Sequence, residues 1–231
     1  DAKFDLDTEC HVARVVGMSL TTGTAGGPAK AADRSGGGAG LRERNAEVRR
    51  KALVRAAYAL FAERGYATTT MDDVALRAEV SRRTAFRYFA SKEDLVFPER
   101  EARLAELRAE LVAAPGEAPF ETGRRACLTL AQRYEAAREE LVAQWHILEA
   151  EPALLGRDVA FDRKSEDAIE QAFLAGARDT PRARRRARVR ASAITGAVRA
   201  TLREWLEGGA KADLVRLGRE TFAELEAGFG D

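Results

Sequence analysis

Apolar residues recur every three to four positions along most of the chain, which is the spacing of one face of an α-helix. The first such pattern begins at Leu41 and stops at Gly65, with Arg and Glu on the opposite face. Aromatic residues make up only 7% of the chain, which also favours helices over strands. We therefore expect an all-α fold. The apolar face of the first helix is expected to hold Val48, Ala52, Ala56, Leu60 and Phe61.

Cap residues predict three shorter helices after Gly65. Thr70 is followed three residues later by Asp73, which is a capping-box pattern for a second helix. Ser81 and Ser91 are expected to cap the third and fourth helices. The side chains expected to face inward from these helices are Val74, Ala75, Ala78, Ala85, Phe86 and Phe89.

Pro98 interrupts the fourth helical pattern, because proline lacks an amide donor and clashes with the preceding turn. We interpret it as a kink or restart between a compact helical head, residues 41–97, and a helical body, residues 98–231. Residues 1–40 are expected to form a disordered tail, since Thr21–Gly40 is rich in small and polar residues. The body is expected to have helices near 99–113, 119–137, 139–150, 164–177, 181–207 and 213–228, with breaks that include Pro152 and Gly156.

Charge is distributed unevenly along the chain. The 231 residues carry a net charge of +1, but residues 41–97 contain twelve Lys or Arg against eight Asp or Glu. The head is therefore basic and the body is not. No stretch approaches the roughly 20 apolar residues that a membrane helix needs, so no membrane partner is expected. Two cysteines cannot make a disulfide framework and favour a reduced, cytoplasmic setting, while two histidines leave little material for a zinc site. We expect no metal, no cofactor and no catalytic residues.

The stretch Thr70–Leu95 has the arrangement of a helix-turn-helix. Two short capped helices flank a tight turn at residues 78–80, and the second helix of this motif enters the major groove of DNA. The guanidinium groups of arginines on the outer face of this helix can donate to guanine, while hydroxyl and ammonium groups can donate to phosphate oxygens. The predicted DNA contacts are Thr70, Ser81, Arg82, Arg83, Thr84, Arg87, Tyr88 and Lys92.

The head closely resembles that of the TetR family of bacterial transcription regulators. The family pattern of a long first helix, a helix-turn-helix and a following SKE segment covers roughly residues 45–97. The matching positions are Phe61, Gly65, Tyr66, Thr69, Thr70, Val74, Ala75, Ala78, Val80, Ser81, Thr84, Tyr88, Phe89, Ser91, Lys92, Glu93 and Leu95. Two positions depart from the pattern: Glu79 replaces a common turn glycine, and Phe86 replaces a common tyrosine.

The resemblance implies a homodimer that binds a palindromic double-stranded DNA operator and joins through residues 181–228. It also implies a helical-bundle body that binds a small effector. The segment from Ser81 to Val96 resembles regulators that bind acyl-CoA-like ligands. Apolar stripes agree with a subunit interface; they are Ile194, Val198, Leu202 and Trp205 on one helix and Leu214, Leu217, Gly218, Phe222 and Leu225 on the next.

Several interpretations stay open. Trp145, His146 and Phe161 are the candidate ligand contacts, against the alternative that they are ordinary core or surface residues. The basic run Arg182–Arg190 is interpreted as a solvated helix start, against a site for an anionic ligand or DNA. The leading function is a ligand-responsive repressor. The alternatives are a regulator without a small ligand, an activator, or an all-helical enzyme, although no catalytic constellation supports the enzyme.

Overall fold

A computed structural model describes residues 37–228, and every regular element in this part of the chain is a helix. The contacts divide the chain into two compact units, the first ending at Pro98 and the second beginning at Glu99. The all-α prediction is confirmed. In chain order the helices are α1 (Gly37–Arg64), α2 (Met71–Arg77), α3 (Arg82–Tyr88), α4 (Lys92–Val96), α5 (Arg100–Glu110), α6 (Pro119–Ala136), α7 (Arg138–Ala150), a short 3₁₀ turn (Pro152–Leu154), α8 (Leu155–Leu174), α9 (Pro181–Glu207) and α10 (Leu214–Ala227).

The first unit is built on α1, which packs against α2 and α4, while α2 packs against α3. Polar contacts fix α1 at two further points. The Tyr58 hydroxyl donates to the carbonyl oxygen of Val96 at 2.9 Å, and the Arg50 guanidinium donates to that of Pro98. The buried core is made of Leu53, Ala56, Ala57, Ala59, Leu60, Phe61, Met71, Val74, Ala75, Ala85, Phe89, Leu95, Val96 and Phe97.

Helix α1 differs from its prediction in two respects. It begins at Gly37, four residues before the apolar pattern, and the remainder of the predicted tail, residues 1–36, lies outside the described residues. Val48 was expected to face inward, yet 62% of it is exposed. Residues 42–52 of α1 are exposed or half-buried in this unit, so the apolar pattern there does not contribute to its buried core.

The second unit is a helical bundle in which α8 packs on α9, α9 on α10, and α6 on α5, α8 and α10. Cys127 packs against its main core, and burial raises the pKa of that thiol to about 12. A smaller cluster joins Leu141, Trp205, Ala210 and Leu214. The main core contains Leu107, Leu111, Ala126, Leu130, Ile169, Phe173, Ala187, Ala191, Ile194 and Phe222.

One boundary predicted for the second unit is wrong, and part of the predicted interface is buried inside the protomer. Helix α8 begins at Leu155 rather than near residue 164, and it passes through Gly156, because a glycine in a helix costs only about 1 kcal/mol. Four residues of the predicted interface stripes pack inside the protomer: Ile194, Trp205, Leu214 and Phe222 are at most 2% exposed. The other members of the stripes are half-buried, namely Val198, Leu202, Leu217, Gly218 and Leu225.

Candidate nucleic-acid interface

Two capped helices form the helix-turn-helix as the sequence predicts. The Thr70 hydroxyl accepts from the amide of Asp73 at 3.2 Å, and the Thr70 amide donates to the Asp73 carboxylate at 2.9 Å. The Thr70 hydroxyl also donates to this carboxylate, which is the main reason that the pKa of Asp73 is lowered. At the start of α3, the Ser81 hydroxyl accepts from the amide of Thr84 at 3.2 Å. Each such cap contributes about 1 kcal/mol.

The turn between α2 and α3 keeps a left-handed residue even though it has no glycine. Glu79 has φ 55°, in the region that L-residues usually avoid. Its amide donates to the carbonyl oxygen of Leu76 at 3.1 Å, and the amide of Val80 donates to that of Ala75 at 3.0 Å. This pair of bonds is a Schellman motif, which normally has glycine at the left-handed position. The departure at Glu79 therefore leaves the turn geometry in place.

Helix α3 presents three arginines to solvent. The Arg82 guanidinium lies 3.2 Å from the Asp72 carboxylate and 5.5 Å from the centre of the Phe86 ring. Arg87 lies over the Tyr88 ring at 5.2 Å. Arg83 has no hydrogen bond or ion pair to any described residue, so its donors are available to a partner. Thr84 and Tyr88 are half-buried along the same helix.

Phe86 corrects the predicted orientation of α3. It was expected to face inward with Ala85 and Phe89, but 41% of it is exposed, whereas those two are buried. The seven residues of α3 are about two turns, so only one narrow stripe can reach the core. Phe86 instead supplies a ring face to Arg82, which holds that arginine beside α3.

Lys92 does not point outward as a phosphate donor. Its ammonium group donates to the carbonyl oxygens of Tyr66 at 3.0 Å, Ala67 at 3.3 Å and Thr69 at 3.2 Å. These three bonds use its three N–H donors. The nitrogen also lies 4.2 Å from the centre of the Tyr66 ring. The role assigned to Lys92 is therefore revised: it ties the α1–α2 loop to α4.

Sequence reasoning missed two residues that position the interface. The Tyr66 hydroxyl donates to the Glu93 carboxylate at 2.9 Å, so it reinforces the link that Lys92 makes. Asp72 pairs with Arg82 across the turn. The ten-residue separation of Asp72 and Arg82 gives no helical signal, because side chains on one helix meet only at three- or four-residue spacing.

The candidate ligand contacts in the second unit have different environments. His146 is exposed, with Nδ1 3.4 Å from the Glu149 carboxylate on the same helix. Trp145 and Phe161 are half-buried, and the Arg100 guanidinium lies 5.1 Å from the centre of the Phe161 ring. The exposure of His146 makes it the least suited of the three to line a buried pocket.

Two classes of site are missing from the described residues. No group of three or more His, Cys, Asp or Glu side chains among residues 37–228 is placed to hold a metal ion. No helix in the same range is long and apolar enough to cross a membrane.

Comparison with protein families matches both units. Residues 53–97 match the model of the bacterial regulatory proteins of the tetR family, and residues 117–230 match the MftR C-terminal domain, a TetR-type C-terminal domain. The chain is 34% identical over 137 residues to the HTH-type transcriptional regulator TcmR of Streptomyces glaucescens. That match covers 56% of this chain and 59% of TcmR, so the chain spans less than two thirds of this relative.

Solved structures share the fold at lower identity. NalD of Pseudomonas aeruginosa, the secondary repressor of a multidrug efflux pump, aligns with a TM-score of 0.58 at 21% identity, covering 79% of this chain and 97% of NalD. FadR of Thermus thermophilus, solved with lauroyl-CoA, aligns with a TM-score of 0.50 at 24% identity, covering 79% and 95%. The chain therefore belongs to the TetR family of helix-turn-helix transcription regulators.

Proposed function

We propose that this chain is a repressor that binds a palindromic DNA operator as a homodimer and leaves it when a small apolar ligand binds. Residues 41–97 form the DNA-binding domain, and residues 98–231 form the ligand-binding and dimerisation domain. The observation that carries the proposal is the outer face of α3, where Arg82, Arg83 and Arg87 are exposed on the second helix of a helix-turn-helix.

The residues of this face divide by the chemistry that they offer. Arg82 and Arg83 stand at the start of α3, where a recognition helix meets base edges, and a guanidinium can donate twice to guanine. Arg87 lies one turn further on. The hydroxyl groups of Thr70, Ser81, Thr84 and Tyr88 suit phosphate oxygens, which fix the protein on the duplex without reading its sequence.

Lys92 acts on DNA binding through position rather than contact. Its three bonds to the α1–α2 loop hold the start of α2, where Thr70 offers its hydroxyl. The Tyr66–Glu93 bond supports the same loop. Phosphate contacts near Thr70 therefore depend on Lys92 even though its ammonium faces the protein.

Selection from random duplexes tests the DNA-binding proposal. The full chain should enrich one sequence made of two inverted half-sites, with affinity that falls steeply as salt rises. The triple variant Arg82→Ala, Arg83→Ala, Arg87→Ala should enrich none, while Arg163→Ala, at an exposed arginine on α8, should behave as the parent does. Equal enrichment by both variants would place the DNA contacts elsewhere.

We infer that the effector is elongated and mainly apolar, with an acyl-CoA as the first candidate. The second unit is made of Ala- and Leu-rich helices, and the resemblance of residues 81–96 to acyl-CoA-responsive regulators supports the choice. FadR, which shares this fold, was solved with lauroyl-CoA. Trp145 and Phe161 are the preferred contacts, because both are half-buried and apolar.

Calorimetric titration tests the effector proposal. Acyl-CoAs of several chain lengths are added to the protein with and without the selected operator. Tenfold release of DNA requires about 1.4 kcal/mol of coupling, and by reciprocity the operator must weaken the ligand by the same factor. We expect the motion to occur near Pro98, where the two units divide. If no acyl-CoA of any chain length gives a heat of binding, the acyl-CoA proposal is wrong, and the DNA-binding proposal is unaffected.

A further inference from the structure

Phe86 presents a large apolar surface to solvent on α3, the second helix of the helix-turn-helix. Its side chain is 41% exposed, whereas Ala85 and Phe89 beside it are buried. The other exposed large apolar residues in the described part of this unit, Val48 and Leu76, lie on α1 and α2. Phe86 is therefore the apolar group that α3 offers to a partner.

The ring of Phe86 lies among the arginines at the start of α3. With 3.6 residues per turn, Phe86 is about 40° from Arg82 and about 60° from Arg83 in projection along the helix axis. The Arg82 guanidinium lies 5.5 Å from the centre of the ring and also pairs with Asp72 at 3.2 Å. The ring therefore shares the surface of α3 that would enter the major groove in the proposed complex with DNA.

The chemistry of a phenylalanine ring limits what Phe86 can recognise in that groove. A tyrosine, which is common at this position, could donate its hydroxyl to a phosphate oxygen, but Phe86 has no such group. Adenine, guanine and cytosine present only hydrogen-bond donors and acceptors in the major groove. Thymine also presents an apolar group, its C5-methyl. An apolar contact from Phe86 would therefore select thymine.

The spacing along α3 indicates where this thymine would lie. Phe86 follows Arg83 by three residues and Arg82 by four. Residues at these spacings on a helix have Cβ atoms about 5–6 Å apart. Successive bases along one DNA strand are about 3.4 Å apart. A thymine in contact with Phe86 is therefore within about two base pairs of a guanine bound by either arginine.

We propose that Phe86 is a specificity-determining residue that recognises the C5-methyl group of a thymine in each half-site of the operator. The inference rests on the proposed DNA binding and adds a base to it, because each half-site then contains a thymine close to the guanine that Arg82 or Arg83 contacts. Burial of one methyl-sized apolar group raises affinity about fourfold. The contact is apolar, so its contribution does not depend on neutralising phosphate charge.

Replacement of thymine by deoxyuridine tests this contact, because uracil lacks only the methyl group and keeps the hydrogen-bonding edges. Each thymine of the operator selected by the full chain is replaced in turn, and fluorescence anisotropy compares the dissociation constants of the thymine and uracil duplexes. At one thymine near a guanine, uracil should weaken binding of the parent chain about fourfold for each half-site replaced. Phe86→Ala should bind the two duplexes about equally. A misfolded fraction cannot mimic this result, because it changes both apparent constants by the same factor.

Two matched variants should retain the uracil effect of the parent chain. Phe86→Tyr keeps the aromatic ring, and Val48→Ala removes an exposed apolar side chain from α1. Measurement at low salt keeps every variant within range, because phosphate contacts strengthen as salt falls.

The possible failures of the inference and of the proposed function are distinguishable. If Phe86→Ala loses discrimination for guanine but keeps the uracil effect, the ring only supports Arg82 and the inference is overturned. It is also overturned if uracil is tolerated at every position, or if the selected half-site has no thymine within about two base pairs of a guanine. In these cases the DNA-binding proposal stands. A parent chain that enriches no duplex would overturn the DNA-binding proposal itself.

Discussion

At the scale of single residues, Arg83 is the side chain most open to a base. It is exposed and has no hydrogen bond or ion pair to a described residue. Arg83→Ala should reduce discrimination between the operator and mutated sites by about 1–3 kcal/mol, which is the value of a bidentate arginine–guanine contact. Fluorescence anisotropy with matched duplexes measures this, with Arg163→Ala as the control. Equal loss on all duplexes would assign Arg83 to phosphate instead.

We expect Lys92 to contribute to the stability of the first unit and to affect DNA binding only indirectly. Lys92→Ala removes three charged hydrogen bonds to the α1–α2 loop, so we expect the first unit to lose about 2 kcal/mol of stability. Urea unfolding followed by fluorescence measures the loss, and Arg87→Ala, at an exposed residue of α3, is the control. A variant of unchanged stability with a salt slope for DNA binding shallower by about one unit would restore Lys92 to a phosphate contact.

Glu117 should make stability depend on pH in the acid range. Hydrogen bonds from Arg125, and then from the amide of Ala114, lower its pKa from 4.5 to about 2. Because the folded pKa lies below the unfolded one, its contribution is complete above about pH 4.5 and is lost as the pH falls toward 2.

The test of this dependence is Glu117→Gln compared with the parent chain by urea unfolding at pH 6 and pH 3. The difference in free energy of unfolding between the parent chain and Glu117→Gln should be large at pH 6 and smaller at pH 3. Glu139→Gln, at an exposed glutamate on α7, is the matched change. A gap of the same size at both pH values would contradict the role given to Glu117.

At the scale of elements, the turn between α2 and α3 contains avoidable strain. Glu79 holds φ 55° at the glycine position of a Schellman motif, which costs an L-residue about 1 kcal/mol. Glu79→Gly should therefore raise the free energy of unfolding by up to about that amount, while Glu79→Ala should not. Thermal unfolding of the parent chain, Glu79→Gly and Glu79→Ala measures these differences in stability. A destabilised glycine variant would show that the Glu79 side chain contributes more than its backbone costs.

Local chemistry explains why many element boundaries are predictable. Helix α9 spans Pro181–Glu207 as expected, because Thr180 caps its start through the amide of Ala183 and Gly208 follows its end. Thr70 and Ser81 cap their helices for the same reason: each bond lies within three residues of the cap. Signals of this kind need no knowledge of the rest of the fold.

Contacts between residues that lie far apart in the sequence cannot be predicted from local patterns. Periodicity placed Phe86 and Val48 inside, but it cannot say which side of a short helix, or which part of a long one, meets another element. Lys92 has the composition of a phosphate contact, and only the placement of the α1–α2 loop shows where its donors go. Ile194 and Trp205 belong to an apolar stripe as predicted, yet both side chains are buried inside one protomer.

At the scale of the whole molecule, the chain contains a helix-turn-helix unit, which we propose binds DNA, and a second unit that is a helical bundle. The matches over residues 53–97 and 117–230 place the chain in the TetR family. The operator, the homodimer and the effector are the proposals that give this chain its own mechanism. They are linked, because a palindromic site needs two heads related by a two-fold axis.

Sedimentation velocity of the chain on a duplex selected from random sequence tests the proposed complex of a homodimer with its operator most directly. We predict two protomers per duplex and two inverted half-sites whose centres lie about one helical turn, or a multiple of it, apart. Deleting one half-site should abolish tight binding, and Arg83→Ala should reduce the preference for the selected sequence by about 1–3 kcal/mol. One protomer per duplex would contradict this prediction. So would binding that is weakened neither by deletion of a half-site nor by Arg83→Ala.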